Sequence, residues 1–491
     1  STMTDTARFL RLTAVLLAVS AGFLAPAAGA ADEGALSGPV HTARGYLPDG
    51  RPVTLTREAL VKSAMENNPE LLQLGVEREQ TRIDLKSAKA GRFPDIGAEI
   101  RLSHLMNPME PIAVTAGEYG SYDIPGEGEI LIPPEDLEVF EGMEPMLYEF
   151  IVTLEQPLFT WGKIRNSIEL YTRALGANEL NIELKRQEII TSITVYLYSL
   201  YFLEKIDEII LEQRKAADRL IFISEKSFEN GFIVYSELLE ARIQAKEIDL
   251  GLARLEEQRR QLLLELEHLT GIPDIRPEDL SLGFVDGNIA NYPTAGREEL
   301  IERALATNVQ LDLLGRLREV ADYKRQIAEG GSYLKPDIGL RFELSYGGPR
   351  FPLIEPDWYG KDDYNLISTL AFLTSIYDGG KLRSEILMSE EELKHSTYEF
   401  QKGRAEIERF ISTTLLKLDL DRDNIEYYSL KREADAGRVE LKRTQFEAEA
   451  VPEAEYLMEL IAAYKTEITL YEKKIDFFSN YFTLQNVVYG E

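Results

Sequence analysis

Two stretches of this chain alternate between apolar and polar residues. From Asp337 to Tyr346, Ile338, Leu340, Phe342, Leu344 and Tyr346 share one side, and Asp337, Gly339, Arg341, Glu343 and Ser345 the other. A strand sends successive side chains to opposite faces, so this period of two predicts a strand with one apolar and one polar face. Asp95 to Ser103 repeats the pattern, with Ile96, Ala98, Ile100 and Leu102 opposite Asp95, Gly97, Glu99, Arg101 and Ser103. Its partner at 148–158 alternates more weakly, through Phe150, Val152 and Leu154. A fourth candidate, 364–373, is mostly apolar on both sides, which leaves its register open. Each segment has the roughly 9 to 11 residues of a transmembrane strand, but a half-buried strand of a soluble sheet looks the same.

Elsewhere the period changes to that of a helix. Two proline-free runs, about 162–230 and 380–450, would each extend on the order of 100 Å at about 1.5 Å per residue. In the first, Ile189, Ile193, Tyr196, Leu200, Leu203, Ile210, Ala217, Ile221 and Phe228 recur at steps of three and four or their sums, the spacing of a helix-packing seam. Ile190, Leu197, Ile206, Leu211 and Leu220 widen the stripe, which predicts neighbours on two sides. Taken alone, these helices would suit a long coiled coil.

The strands and helices occur twice. PDIGAEIRLSH from Pro94 is echoed by PDIGLRFELSY from Pro336, REALVKSAMENNPELLQL from Arg57 by REELIERALATNVQLDLL from Arg297, and WGKIRNSI from Trp161 by GGKLRSEI from Gly379. Each half reads helix, strand, long loop, strand, very long helix, helix, the mark of duplicated architecture. The expected organisation is an export signal at 1–30, an extended segment at 31–54, a first repeat at 55–289 and a second at 290–491. The signal rests on Arg8, Arg11, the apolar run LTAVLLAVSAGFL and a small-residue site at Ala28-Gly29-Ala30.

Beyond that run, no stretch is expected to approach the roughly 20 apolar residues of a membrane helix, so a membrane-spanning form must use strands. Four strands cannot close a barrel that needs about eight or more, and open edges are not tolerated in lipid. Several identical chains in a symmetric ring could close it.

Composition narrows the chemistry. Lys and Arg number 54 against 84 Asp and Glu, and the net charge of -30 repels a phosphate backbone, so nucleic acid is not expected as a partner. Cysteine is absent, which removes disulfides, thiolate nucleophiles and thiol-linked lipid anchors. His41, His104, His268 and His395 are scattered, and Glu391 with His395 reads as a surface pair on a helix. Gly379-Gly380-Lys381 lacks the spacing of a phosphate loop. No catalytic constellation, metal-ligand set or cofactor site emerges, and no enzyme activity is expected.

Three segments carry a resemblance. LEQPLFTWGKIRNS, Leu154 to Ser167, TSIYDGGKLRSE, Thr374 to Glu385, and NGFIVYSELLEARIQA, Asn230 to Ala245, resemble the strand-to-helix junctions and the hairpin tip of the TolC family of outer-membrane efflux channels. The second junction lacks the Gln-Pro of the first. The resemblance implies a mostly α fold with transmembrane β: a homotrimer whose four strands per chain form a twelve-stranded β-barrel, continued by a long α-helical barrel into the periplasm. Pro157 suits a strand end, and Gly162, Gly379 and Gly380 let the backbone turn from strand to helix. Loops 105–147 and 347–363 would face outside, the first acidic, rich in Pro and Gly, and mobile.

Carried over by position, the periplasmic aperture falls at Glu237 and Glu240 in one half and at Glu453, Glu455 and Glu459 in the other. Threefold rings of such acids would attract cations and raise one another's pKa; helix-start acids favoured by the dipole are the plainer reading. In the second half Ala450 stands where glycine is expected, and Tyr456 takes an acidic position. Trp161, Tyr333, Trp358, Tyr359 and Tyr364 fit a membrane interface or ordinary packing. The implied function is an exit duct for small molecules or ions, joined to a periplasmic adaptor and an inner-membrane transporter. A protein-secretion duct is the alternative within the fold, and a coiled-coil structural protein the alternative outside it.

Overall fold

A computed structural model of the chain describes residues 54–490 apart from 127, 353 and 355–362. The export signal, nearly all of the extended segment, His41, Trp358 and Tyr359 lie outside the described residues. The first half runs α1 (Arg57–Asn67), α2 (Pro69–Ala90), β1 (Asp95–His104), four short strands, β6 (Met146–Phe159), α3 (Lys163–Glu229) and α4 (Tyr235–Thr270). The second runs α5 (Arg297–Thr307), α6 (Val309–Gly330), β7 (Asp337–Gly348), β8 (Tyr364–Leu373), α7 (Lys381–Glu447) and α8 (Glu453–Tyr489). The same order appears in both, apart from the short strands inserted in the first.

The alternating segments form one antiparallel sheet in the order β1-β6-β7-β8. Pairing is in register from Asp95 opposite Glu155 to His104 opposite Met146, and β7 continues it on the far side of β6 with one irregularity between Pro157 and Phe159. Proline has no N–H for the ladder, so the irregularity falls where the strand must yield. β8 pairs with β7 from Asp337 opposite Leu373 to Tyr346 opposite Tyr364, which fixes the register that its two apolar faces left open.

α3 and α7 are both 67 residues long. Each lies beside two shorter helices set end to end: α3 beside α2 and α4, α7 beside α6 and α8. The ends are spliced by asparagine. Asn68 Oδ1 caps α2 by accepting from the Glu70 and Leu71 amides, while its Nδ2 donates to the Leu269 carbonyl at the end of α4. Asn308 does the same in the second half, accepting from Leu311 N and donating to Val487 O. One side chain thus satisfies orphan groups on both helices.

The apolar stripe of α3 is largely interior. Ile189, Ile193, Leu200, Leu203, Ile210 and Ala217 are buried, Tyr196 and Ile221 are half-buried, and Phe228, expected in the seam, is exposed near the helix end, where fewer neighbours remain. One core gathers Phe202, Ile411, Phe477 and Phe478 from α3, α7 and α8; another gathers Leu60, Ile189, Ile193 and Leu266 from α1, α3 and α4. The expectation that no helix carries a membrane-length apolar window needs correction. An 18-residue window of α3 reaches a mean hydropathy of 1.2, but 61% of it is buried against other helices, as in a core helix.

The insertion at 105–147, expected as one long, mobile loop, carries regular structure. It holds two ladders, β2 (Ile112–Val114) with β5 (Leu137–Phe140), and β3 (Ser121–Ile124) with β4 (Gly128–Leu131). Gly126 and Gly128, both at positive φ, close the inner hairpin, a geometry that glycine adopts without a side-chain penalty.

Candidate functional site

The register sorts the sheet into two chemically different faces. One carries rows such as Ile100-Phe150-Tyr346-Tyr364 and Ala98-Val152-Leu344-Leu366, and many of its large side chains are solvent-exposed, Ile96, Ile100, Leu102 and Leu366 each by more than 60%. A soluble fold would cover such a surface, whereas lipid matches it. Of its aromatic members, Tyr148, Phe150, Tyr346 and Tyr364 lie toward the end away from the long helices, and Phe342 and Phe372 lie nearer to them.

The opposite face carries Asp95, Glu99, Arg101, Glu149, Thr153, Glu155, Arg341 and Glu343. Charges are paired within and across strands: Arg101 with Glu99 of its own strand and Glu149 of β6 at 2.9 and 3.3 Å, Arg341 with Glu343 of its own strand and Glu155 of β6 at 2.8 and 3.5 Å. β1 and β8 are the outer strands, so the sheet ends in two open edges. Placed in lipid, both edges require partners.

At the strand-to-helix junctions the chain reverses handedness over two residues. In the second half these are Gly379 and Gly380, at φ 74° and 91°. In the first half they are Trp161 and Gly162, at φ 52° and 81°. A tryptophan in the left-handed region is strained. It is held by its indole N–H donating to the Pro336 carbonyl at 2.9 Å and by an edge-to-face contact with Phe159. Its place is therefore the turn itself, tied to the start of β7. Pro157, opposite Gly339, marks the last regular pair of β6 before the bulge. Lys163 of α3 is ion-paired with Asp337 of β7, and Asp378 accepts from the Gly380 and Leu382 amides to start α7 while receiving the Tyr333 hydroxyl. Tyr333 is thus engaged at this junction, and Tyr364 stands on the apolar face.

The five acids expected at the aperture fall at the ends of the helical hairpins, in two groups. Glu237 lies in the first turn of α4 and Glu240 one turn on, both exposed. The other three are engaged within the chain. Glu453 forms a two-pronged pair with Arg219 of α3 at 2.8 and 2.9 Å, Glu455 meets Lys442 at 2.8 Å, and Glu459 meets Arg438 at 2.8 Å. The Arg219 guanidinium holds the Glu453 carboxyl below its ordinary pKa, the reverse of the upward shift expected from like-charge repulsion.

The second tip also corrects the positional match. Gly231 takes the left-handed turn after α3, and its counterpart after α7 is Glu449, at φ 55°, not Ala450. With that one-residue shift Glu455 occupies the place of Glu237, and Met458 that of Glu240. Nothing in the sequence marks a glutamate as the left-handed residue. Arg219 and Arg438, the cations that complete the tip, were also missed, because their partners lie 234 and 21 positions away. Among the described residues no three His, Asp or Glu side chains converge as a metal site.

The fold is that of the TolC-like outer-membrane efflux proteins: β strands for a barrel in the membrane and long helices for a second barrel in the periplasm, assembled as trimers in that class. Residues 60–272 match the outer membrane efflux protein family. The chain is similar in structure to the Campylobacter jejuni CmeC outer membrane channel, at a TM-score of 0.65 and 14% identity over 96% of this chain and 94% of that one. It is also similar to the open-state Neisseria gonorrhoeae MtrE outer membrane channel (0.65, 13%, 88% of each chain) and to the Vibrio cholerae outer membrane protein VceC (0.64, 14%, 88% of this chain and 94% of that one). No curated protein matches the chain.

Proposed function

We propose that the chain is the subunit of a trimeric exit duct in the bacterial outer membrane, carrying small molecules or ions outward from the periplasm or from an inner-membrane pump. The observation that carries this reading is the sheet, apolar on one face, charged on the other, open at both edges and rooted on 67-residue helices. Three copies close the edges into a twelve-stranded barrel, with the apolar face toward lipid and the charged face toward water. Transport through such a conduit makes no bonds. A periplasmic adaptor joins the duct to the pump, and the pump supplies the energy.

At the tip the two groups of acids have different work. Glu237 and Glu240, exposed and repeated by threefold symmetry, ring the entrance and favour cations. The Arg219 to Glu453 pair ties the first hairpin to the second inside one subunit, helped by Gln213 Nε2 donating to Ile461 O at 3.0 Å. It acts as a clasp on the aperture, and the Arg438 and Lys442 pairs brace α7 against α8.

The test is single-channel recording of the trimer purified from outer membranes and placed in a planar bilayer. A stable conductance is expected, and a detergent-independent monomer that conducts nothing would reject the duct. Glu453→Gln, which loosens the clasp, should raise the conductance; Glu237→Gln should weaken cation preference more than Glu459→Gln, whose carboxylate is already neutralised by Arg438.

A further inference from the structure

The water-facing side of the sheet carries a pattern that an exit duct does not by itself require. Among the described residues of the four strands, its cations are Arg101 and Arg341, and each lies between a carboxylate of its own strand and one of the neighbouring strand. Five carboxylates, Asp95, Glu99, Glu149, Glu155 and Glu343, share this face with those two guanidiniums; Asp337 is matched by Lys163. The two arginines stand at different depths: Arg341 is in the row of Asp95 and Glu155 near the helices, and Arg101 is opposite Glu149 near the other end.

The flanking sequence makes Arg101 singular. Residues 105–147, which join β1 to β6 at the end away from the helices, contain ten Asp and Glu and no Lys or Arg, and the next cation after Arg101 is Lys163. Arg101 is therefore the last fixed positive charge of the first half before the exterior.

We infer that Arg101 and Arg341 set the charge selectivity of the barrel. A guanidinium held between two carboxylates removes one unit of negative charge from the wall at its depth, and threefold symmetry makes that a ring. The excess carboxylate leaves the barrel cation-preferring. Each arginine moderates that preference, so losing one sharpens it. Cationic solutes are then the favoured cargo, and anions are held back from re-entry. The field of such a ring reaches about 10 Å at 0.1 M salt and about 3 Å at 1 M, so selectivity must fade as salt rises.

This inference rests on the proposed duct, and one set of recordings separates the two. The probes are potassium and chloride, and the readout is the reversal potential of the full trimer across a KCl gradient near 0.1 M, repeated near 1 M and in the Glu237→Gln background to remove the tip ring. Arg101→Gln and Arg341→Gln should each raise the potassium-to-chloride permeability ratio by about twofold or more, and Glu149→Gln should lower it by a similar factor. Arg101→Lys and Arg341→Lys should restore the wild-type ratio, and all differences should shrink near 1 M. If Arg341→Gln does not assemble, Arg101→Gln and Glu149→Gln, at the half-exposed end of the sheet, decide the matter. Conducting Gln variants with an unchanged ratio overturn the inference; a wild-type trimer that never conducts overturns the duct itself.

Discussion

Residues that perform two tasks at once are the most vulnerable points of this chain. Asn68 and Asn308 each cap one helix and bind the end of another, so alanine at either position should cost about 1–2 kcal/mol and shift the denaturant midpoint of the solubilised protein accordingly. Gly162 and Gly380 start the long helices at positive φ, and alanine at either should cost about 1–2 kcal/mol in the same measurement. Asp421 gives a pH-dependent case. It is buried, its carboxyl is pushed above its ordinary pKa by desolvation, and Asn480 donates to it at 2.8 Å. A raised folded-state pKa contributes stability below the unfolded value, and that stability is lost as pH rises through the folded one. Asp421→Asn should therefore raise the melting temperature at pH 7, with the gain shrinking toward pH 4; a gain independent of pH would show that charge is not the cause.

Among the elements, legibility followed how one-sided the environment is. β1 and β7 face two different surroundings, so Ile100 or Leu340 could be assigned to a side from sequence alone. β8 could not, because Ile367, Ala371 and Leu373 place apolar residues on the water-facing side as well; only its ladder with β7 fixes the register. The long helices were legible to within a residue or two at the strand junctions because proline is absent and glycine stands before each start. The insertion was not: its strands are three and four residues long, too short for a period to show. At the tip, the acids could be located but not their partners, since Arg219 and Glu453 meet through packing between repeats and no local spacing encodes that. Trp161 was visible as an aromatic at a strand end, but its left-handed backbone was not, although its alignment with Gly379 hinted at it.

For the molecule as a whole, duplication supplies two near copies of one hairpin, and the pairs between them decide whether the copies move together. Arg219 with Glu453 joins the hairpins at the tip, and Lys163 with Asp337 joins the repeats at the membrane end. Because α3 and α7 have the same number of residues, the two hairpins run the same length from strand junction to turn. That equality makes length a paired variable. Excising one heptad from α3 alone, with its facing heptad in α4, would pull that hairpin back by about 10 Å and leave a notched rim. Making the matching cut in α7 and α8 as well would level the two hairpins again, so the fourfold excision should recover more of the wild-type melting temperature than the twofold one.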